Sequence, residues 1–168
     1  TIKKKDDEIT IIKGGQLLNG KEEFDCGNSG STARFMLGLL PSHGINGLIY
    51  GDYSLSSRPM KRVIEPLNQM GININNKGDQ LPIAFKKSNV KAINYILQNP
   101  SAQIKTALIF AALSCDNKSY IKDPFNTRDH TERILQYLGH QESAFYKFEI
   151  LPFSYTVPGD ISSASFII

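Results

Sequence analysis

The chain has 168 residues, enough for one domain with a substantial core, and 40% hydrophobic with 21% charged residues is an ordinary globular composition. A net charge of +3 without any block of like charges does not indicate nucleic acid, and no apolar run is long enough to span a membrane. Cys26 and Cys115 are far apart and form no paired metal or redox motif, which points to free thiols in a reducing compartment; His43, His130 and His140 have no metal-ligand spacing.

The N-terminal stretch TIKKKDDEITIIKGG predicts a charged lead-in and a short strand around Ile9 to Ile12, closed by Gly14-Gly15. Leu17 and Leu18 are expected to form a further short strand before Asn19-Gly20. In DCGNSGSTARFMLGLL, Gly27 and Gly30 bracket Asn28 and Ser29, and Ser31 or Thr32 is expected to cap a helix to about Leu40. That helix is nearly all apolar, with Arg34 its only charge. A strand near Leu48 to Tyr50 ends in Gly51-Asp52, where Asp52 reads as a cap.

SLSSRPMKRVIEPLNQMG predicts an amphipathic helix, with Ser56 or Ser57 before Pro59 at the first helical position. Val63, Ile64, Leu67 and Met70 form its apolar stripe, Gly71 stops it, and Pro66 is expected to kink or shorten it. Alternation then predicts strands at Ile72 to Ile74 and Leu81 to Phe85, and another strand lies near Ala92 to Leu97.

NPSAQIKTALIFAAL, from Asn99 to Leu113, predicts a helix capped by Ser101 and apolar on every side, with Lys105 its one charge. Its first turn carries Ser101 and Gln103 at the positive end of the helix dipole, where free amides can hold an anion. A strand from Ser119 to Lys122 follows. Thr127 or Asp129 then caps a helix with Ile134, Leu135 and Leu138 inward, stopped at Gly139. Phe145 to Ile150 alternate as a strand, and VPGDISSASFII begins a small-residue helix capped by Asp160 or Ser162.

Ser31 and Ser101 open buried helices about 70 residues apart, and Arg58 and Arg128 open amphipathic helices at the same offset of about 70. The expected fold is therefore α/β, built of βαβαββ repeats, with the buried helices side by side and parallel and the sheets outside them. Equivalent helix starts then lie at one level and converge on one face. With two arginines, whose planar forks match carboxylate or phosphate, that face becomes an anion cradle. Taken singly, each of these groups reads as a cap, a turn or a surface arginine. GNSGST lacks the lysine of a nucleotide-binding loop. Cys26 has no identifiable partner base and reads as a packed thiol.

These same stretches resemble the 5-enolpyruvylshikimate-3-phosphate synthase family, the 3-phosphoshikimate 1-carboxyvinyltransferases. GNSGSTAR resembles the family's asparagine- and glycine-containing loop, SSRPMKRVIEPL its arginine-proline helix, and SAQIKTALIFAAL its serine-rich helix start. TRDHTERIL and VPGDISSASF match in order and spacing, so the likeness runs from about Asp25 to the end. It implies an inside-out α/β barrel. Residues 1–155 would make a partial substrate-binding domain of about two and a half repeats, and 156–168 a crossover into a second domain. Both ends read as cut.

The implied reaction adds the 5-hydroxyl of shikimate 3-phosphate to the enol carbon of phosphoenolpyruvate, giving a tetrahedral adduct that expels phosphate. The resemblance assigns Asn28, Gly30 and Arg58 to phosphoenolpyruvate. It assigns Ser101, Ala102, Gln103 and Arg128 to shikimate 3-phosphate, with Gln103 touching both. Arg34 and Thr127 are lesser candidates. No metal or organic cofactor is implied, and no nucleic-acid or membrane partner; a cytoplasmic enzyme, monomeric in its full-length form, is expected.

The loop reads Asn-Ser-Gly-Ser where the family usually has Asn-Ala-Gly-Thr, which keeps the hydroxyl. The family's general acid and base groups do not match any residue here, so the 168 residues alone are expected not to turn over. Apolar helix edges left uncovered by an incomplete unit are expected to favour self-association. A non-catalytic anion-binding module or relic and the sister UDP-N-acetylglucosamine enolpyruvyl transferase are the alternative readings.

Overall fold

A computed structural model describes residues 2–4, 10–12, 21–75, 78–140, 143–157 and 159. The expected strand at Leu17 and Leu18, the glycine pairs around it and the helix capped by Asp160 or Ser162 lie outside the described residues. Strands β1 (Ile2–Lys4) and β2 (Thr10–Ile12) pair antiparallel.

The first complete unit begins at β3 (Lys21–Asp25), passes through helix α1 (Gly30–Ser42), and returns as β4 (Asn46–Tyr50) parallel to β3. Helices α2 (Tyr53–Ser56) and α3 (Lys61–Gln69) lead into β5 (Asn73–Asn75) and β6 (Ile83–Lys86). The sheet order is β3-β4-β6-β5, with β6 antiparallel to both neighbours. Alternation set these strands: in β6, Ile83 and Phe85 are buried while Ala84 and Lys86 face out.

The second unit repeats the order. Strands β7 (Asn94–Ile96) and β8 (Tyr120–Lys122) pair in parallel around helix α4 (Ala102–Ala112), and α5 (His130–Tyr137) follows. The repeat is incomplete here. In place of the expected strand from Phe145 to Ile150 there is one antiparallel bridge, Ser119 to Phe145. Its two mutual hydrogen bonds are 2.8 Å each, and the next bond, from the Lys147 amide to the Cys115 carbonyl at 2.7 Å, falls out of ladder register, so no regular strand continues.

Helices α1 and α4 pack side by side as the core of the molecule. Leu37, Leu108 and Ile109 are fully buried, each worth roughly 1.5–3 kcal/mol of transfer free energy. Closeness comes from Gly38: a Cβ there would fall 2.1 Å from the carbonyl oxygen of Ala107. Beside this core, Leu39, Phe110, Leu113, Ile134, Leu138 and Phe148 line an apolar groove of about 760 Å³, in keeping with the expected uncovered helix edge.

Helix boundaries depart from the sequence reading in two places. Ser29, not Ser31 or Thr32, caps α1, its hydroxyl oxygen accepting from the Thr32 amide. The turn before it decides this, because Asp25 accepts from the Gly27 amide and the Ser29 amide donates to Cys26. The segment after Gly51 is two helices, not one. Asp52 caps α2 through the Leu55 amide, Ser57 closes α2 as its C-cap, and α3 starts at Lys61 after Met60, so neither Ser56 nor Ser57 is an N-cap and Pro59 is not helical.

Pro66, expected to kink or shorten α3, stands inside it; the helix runs on to Gln69 and the Pro66 carbonyl accepts from the Met70 amide. At the start of α5, Asp129, one of the two expected caps, holds the cap position though without a side-chain bond, and the Thr127 hydroxyl is committed elsewhere. Gly71 and Gly139 end their helices at positive φ, as expected.

Candidate anion-binding site

The starts of α1 and α4 meet through their side chains. Gln103, in the first turn of α4, donates to the Ser31 hydroxyl at 2.7 Å and accepts from Arg34 at 3.1 Å. Both partners stand in the first turns of α1, so the two helices run parallel with their positive ends together. At each start the amides make no bond among the described residues: Gly30 and Ser31 on α1, Ala102 and Gln103 on α4.

Around α1 the arginines are held by neutral acceptors. Arg34 also donates to the carbonyls of Gly30 and Pro59. Arg58 donates to the Asn28 side-chain oxygen at 2.7 Å, and Asn28 in turn donates to Asp52 at 2.6 Å. Gly30 is buried under this pair; a Cβ on it would lie 2.6 Å from Arg34 and 3.4 Å from Arg58. No described carboxylate forms an ion pair with Arg34, Arg58 or Arg128. Burial, and then the neighbouring Arg58 charge, pull the Arg34 guanidinium below its ordinary pKa. Asp52 reaches Arg58 only through Asn28 and makes no direct ion pair with it, so two neighbouring like charges still favour a bound anion.

On the α4 side, Ser101, Ala102, Gln103, Thr127 and Arg128 line a cleft of about 400 Å³. Ser101 uses its oxygen to cap the Ile104 amide, and its hydroxyl proton has no described acceptor. Arg128 is exposed and makes no hydrogen bond or ion pair among the described residues. Every residue singled out from the sequence is therefore in one of two adjoining clusters, and Gln103 belongs to both. Thr127 is the exception in kind: it lines the cleft, but its hydroxyl donates to Asp123.

The sequence reading missed three groups. Lys105, buried in α4, donates to Asp123 at 3.0 Å and pairs with Glu132 at 2.7 Å. Burial pushes its pKa down, but the two carboxylates outweigh this and hold it above the usual lysine value. Burial likewise raises Asp123, and bonds from the Thr127 hydroxyl, Lys105 and the Phe125 and Thr127 amides overcome it, leaving a pKa of about 2. The signal was the lone charge in an apolar helix, since a buried lysine requires carboxylate partners.

Two other groups need no chemistry. Burial, then the Asp25 charge, raise the Cys26 thiol, which fits a packed side chain and not a nucleophile. Among the described residues no cluster of histidine, cysteine and carboxylate could hold a metal.

A pH dependence follows. A carboxyl depressed from 3.8 to about 2 contributes stability that is complete above pH ~4 and lost as pH falls from there to about 2. The amount is about 2 kcal/mol. Lys105, shifted upward, contributes fully at neutral pH and loses its share only above the ordinary lysine range. Urea midpoints measured across this acid window should therefore fall less steeply for Asp123→Asn than for the unaltered chain. Equal slopes would remove Asp123 from the account.

Comparisons with known proteins agree in one direction. The family profile described as EPSP synthase (3-phosphoshikimate 1-carboxyvinyltransferase) matches residues 1–168. A 3-phosphoshikimate 1-carboxyvinyltransferase of Caldicellulosiruptor saccharolyticus is 45% identical over 98% of this chain and 41% of its own length. That of Oceanobacillus iheyensis is 40% identical over 99% of this chain and 42% of its own. The solved structure of EPSP synthase from Acinetobacter baumannii superposes with a TM-score of 0.77 at 34% identity, covering 84% of this chain and 34% of that one. The chain thus spans about two fifths of the relatives it matches.

Proposed function

Because the chain belongs to the EPSP synthase (3-phosphoshikimate 1-carboxyvinyltransferase) family, we propose that its paired helix starts hold phosphoenolpyruvate and shikimate 3-phosphate for enolpyruvyl transfer. Asn28, Gly30 and Arg58 hold phosphoenolpyruvate, with Arg34 behind them. Ser101, Ala102, Gln103 and Arg128 hold shikimate 3-phosphate, and Thr127 fixes the loop that carries Arg128. The setting is the cytoplasm, and no described helix is long and apolar enough to cross a membrane.

The observation that carries this reading is Gln103. Its side chain ties the Arg34–Ser31 corner to α4, while its backbone amide stands free at the cleft. One residue thereby faces both anions. Free amides and unpaired guanidiniums neutralise substrate charge, and fixing both ligands against neighbouring helix ends brings the acceptor hydroxyl to the enol carbon. The proton transfers of the reaction call for a positioned acid and base, and the cleft-lining residues of this chain supply donors and cations, not a free general base.

Titration of the 168-residue chain, followed by amide NMR, tests this. Shikimate 3-phosphate is expected to move the Ala102 and Gln103 signals and phosphoenolpyruvate those of Gly30 and Ser31. A phosphate-release assay with both substrates is expected to show no turnover by the chain alone. Silence at both helix starts, or preference for UDP-N-acetylglucosamine, would overturn the assignment; release of phosphate above background would overturn the division of labour.

A further inference from the structure

Lys105 lies one turn beyond the Ser101 cap and is 4% exposed. Besides Asp123 and Glu132, its ammonium reaches the Thr127 carbonyl at 3.5 Å. Asp123 closes the loop from the other side, accepting from the Thr127 amide at 2.9 Å, from its hydroxyl at 2.6 Å and from the Phe125 amide at 2.9 Å. Thr127 is thus held at its carbonyl, amide and hydroxyl, immediately before Arg128. Glu132 extends the same anchor to α5, and a Thr106–Thr131 hydroxyl bond of 2.6 Å ties α4 to α5 beside it.

A buried ionic cluster is a poor way to gain stability, since an apolar set of the same volume often does as well or better. What it supplies is direction: charge-assisted bonds of fixed geometry between three elements. Those elements carry the two walls of the cleft, Ser101–Gln103 on one side and Arg128 on the other. Arg128 itself has no described partner to hold it in register.

We propose that Lys105, through Asp123 and Glu132, is a positioning residue that fixes the Thr127–Arg128 segment against the start of α4 and so sets the spacing of the cleft for its anion. The inference rests on the reading of that cleft as the shikimate 3-phosphate site. Lys105 touches no ligand in this scheme and acts through Arg128.

The test uses the 168-residue chain with Lys105→Met, Glu132→Gln, Thr127→Val and Thr127→Ser, the last three keeping the buried ammonium should Lys105→Met fail to fold. Three readouts are taken: hydrogen exchange at the Thr127 and Phe125 amides, affinity for shikimate 3-phosphate, and affinity for phosphoenolpyruvate. Lys105→Met and Thr127→Val are expected to speed Thr127 exchange at least tenfold and to weaken shikimate 3-phosphate roughly tenfold. Phosphoenolpyruvate affinity should stay within about twofold, because Asn28, Gly30 and Arg58 lie at the start of α1 and beyond α2, and the shared Gln103 is held by Arg34 and Ser31, not by the Lys105 cluster. Thr127→Ser, which keeps the hydroxyl donor, should restore both values, and Glu132→Gln should fall between.

Faster exchange with unchanged shikimate 3-phosphate affinity overturns the positioning role and leaves the site standing. An equal loss of both ligands points to general loosening and also overturns it. If the unaltered chain binds no shikimate 3-phosphate, the assignment of the cleft fails, and the inference fails with it.

Discussion

Gly38→Ala is expected to destabilise the chain by about 3 kcal/mol or more, although alanine is the better helix former. On an exposed helix the same change would stabilise by up to ~1 kcal/mol. Here the added methyl would sit 2.1 Å from the Ala107 oxygen, 2.9 Å from its carbonyl carbon and 3.2 Å from its Cα. All three are backbone atoms of a helix buried on nearly every side, so no side chain can swing away to make room. The helices must separate, and dispersion contacts along their whole seam weaken with them. Function should suffer in step. A wider seam pulls Arg34 and Ser31 away from Gln103, undoing the bonds that join the two helix starts. Urea unfolding measures the first effect, with Leu39→Ala as the neighbouring control on the open side of α1. A midpoint for Gly38→Ala at or above that of the unaltered chain would contradict the close packing of α1 on α4.

Periodicity and capping chemistry made most of the fold legible. The stretch after Asn99 shows a serine cap followed by small apolar residues, and it folds as α4 with Ser101 in place. The repeat was legible too, because helix starts recur at a fixed offset. Boundaries were harder where several residues could do one job. Ser29, Ser31 and Thr32 all offer a hydroxyl, and the choice falls to the turn at Gly27, which the Asp25 contact and the backbone bonds of Ser29 to Cys26 and Asp52 to Gly27 specify. Alternation from Phe145 onward is real in the sequence, yet a strand needs a partner edge in register: past the bridge to Ser119 the Lys147 amide bonds the Cys115 carbonyl, not Asn117, which a regular antiparallel ladder would offer.

The site divides in the same way. Polar groups at helix starts announce themselves, and convergence follows from the repeat. The ligands did not come from any such pattern; they came from the family resemblance. Contacts between elements left no local trace. Arg58, Asn28 and Asp52 form one chain across two loops, and Lys105 finds Asp123 and Glu132 on two other elements. A charge in an otherwise apolar helix shows that partners exist, but it does not say which carboxylates they are.

Arg128→Ala is expected to weaken shikimate 3-phosphate by roughly tenfold to a hundredfold, the 1.5–3 kcal/mol scale of a hydrogen bond to a charged group. The substitution is clean because Arg128 is exposed and unpartnered among the described residues, so the unliganded fold should melt as before. Ser101→Ala is less clean: it removes the hydroxyl proposed to meet the ligand together with the cap on Ile104, worth ~1 kcal/mol by itself. Arg128→Lys keeps the charge and loses the planar fork, so it should fall between alanine and arginine. Salt separates contact from attraction at a distance. At ~0.15 M the screening length is about 8 Å, so a guanidinium acting through the field alone would lose its effect as salt rises. A direct contact should keep most of the difference between Arg128 and Arg128→Ala in titrations at low and high salt. Affinity that does not change in Arg128→Ala, or a loss that vanishes with added salt, would take Arg128 out of the cradle and leave the Ser101–Gln103 helix start to hold the anion by its amides.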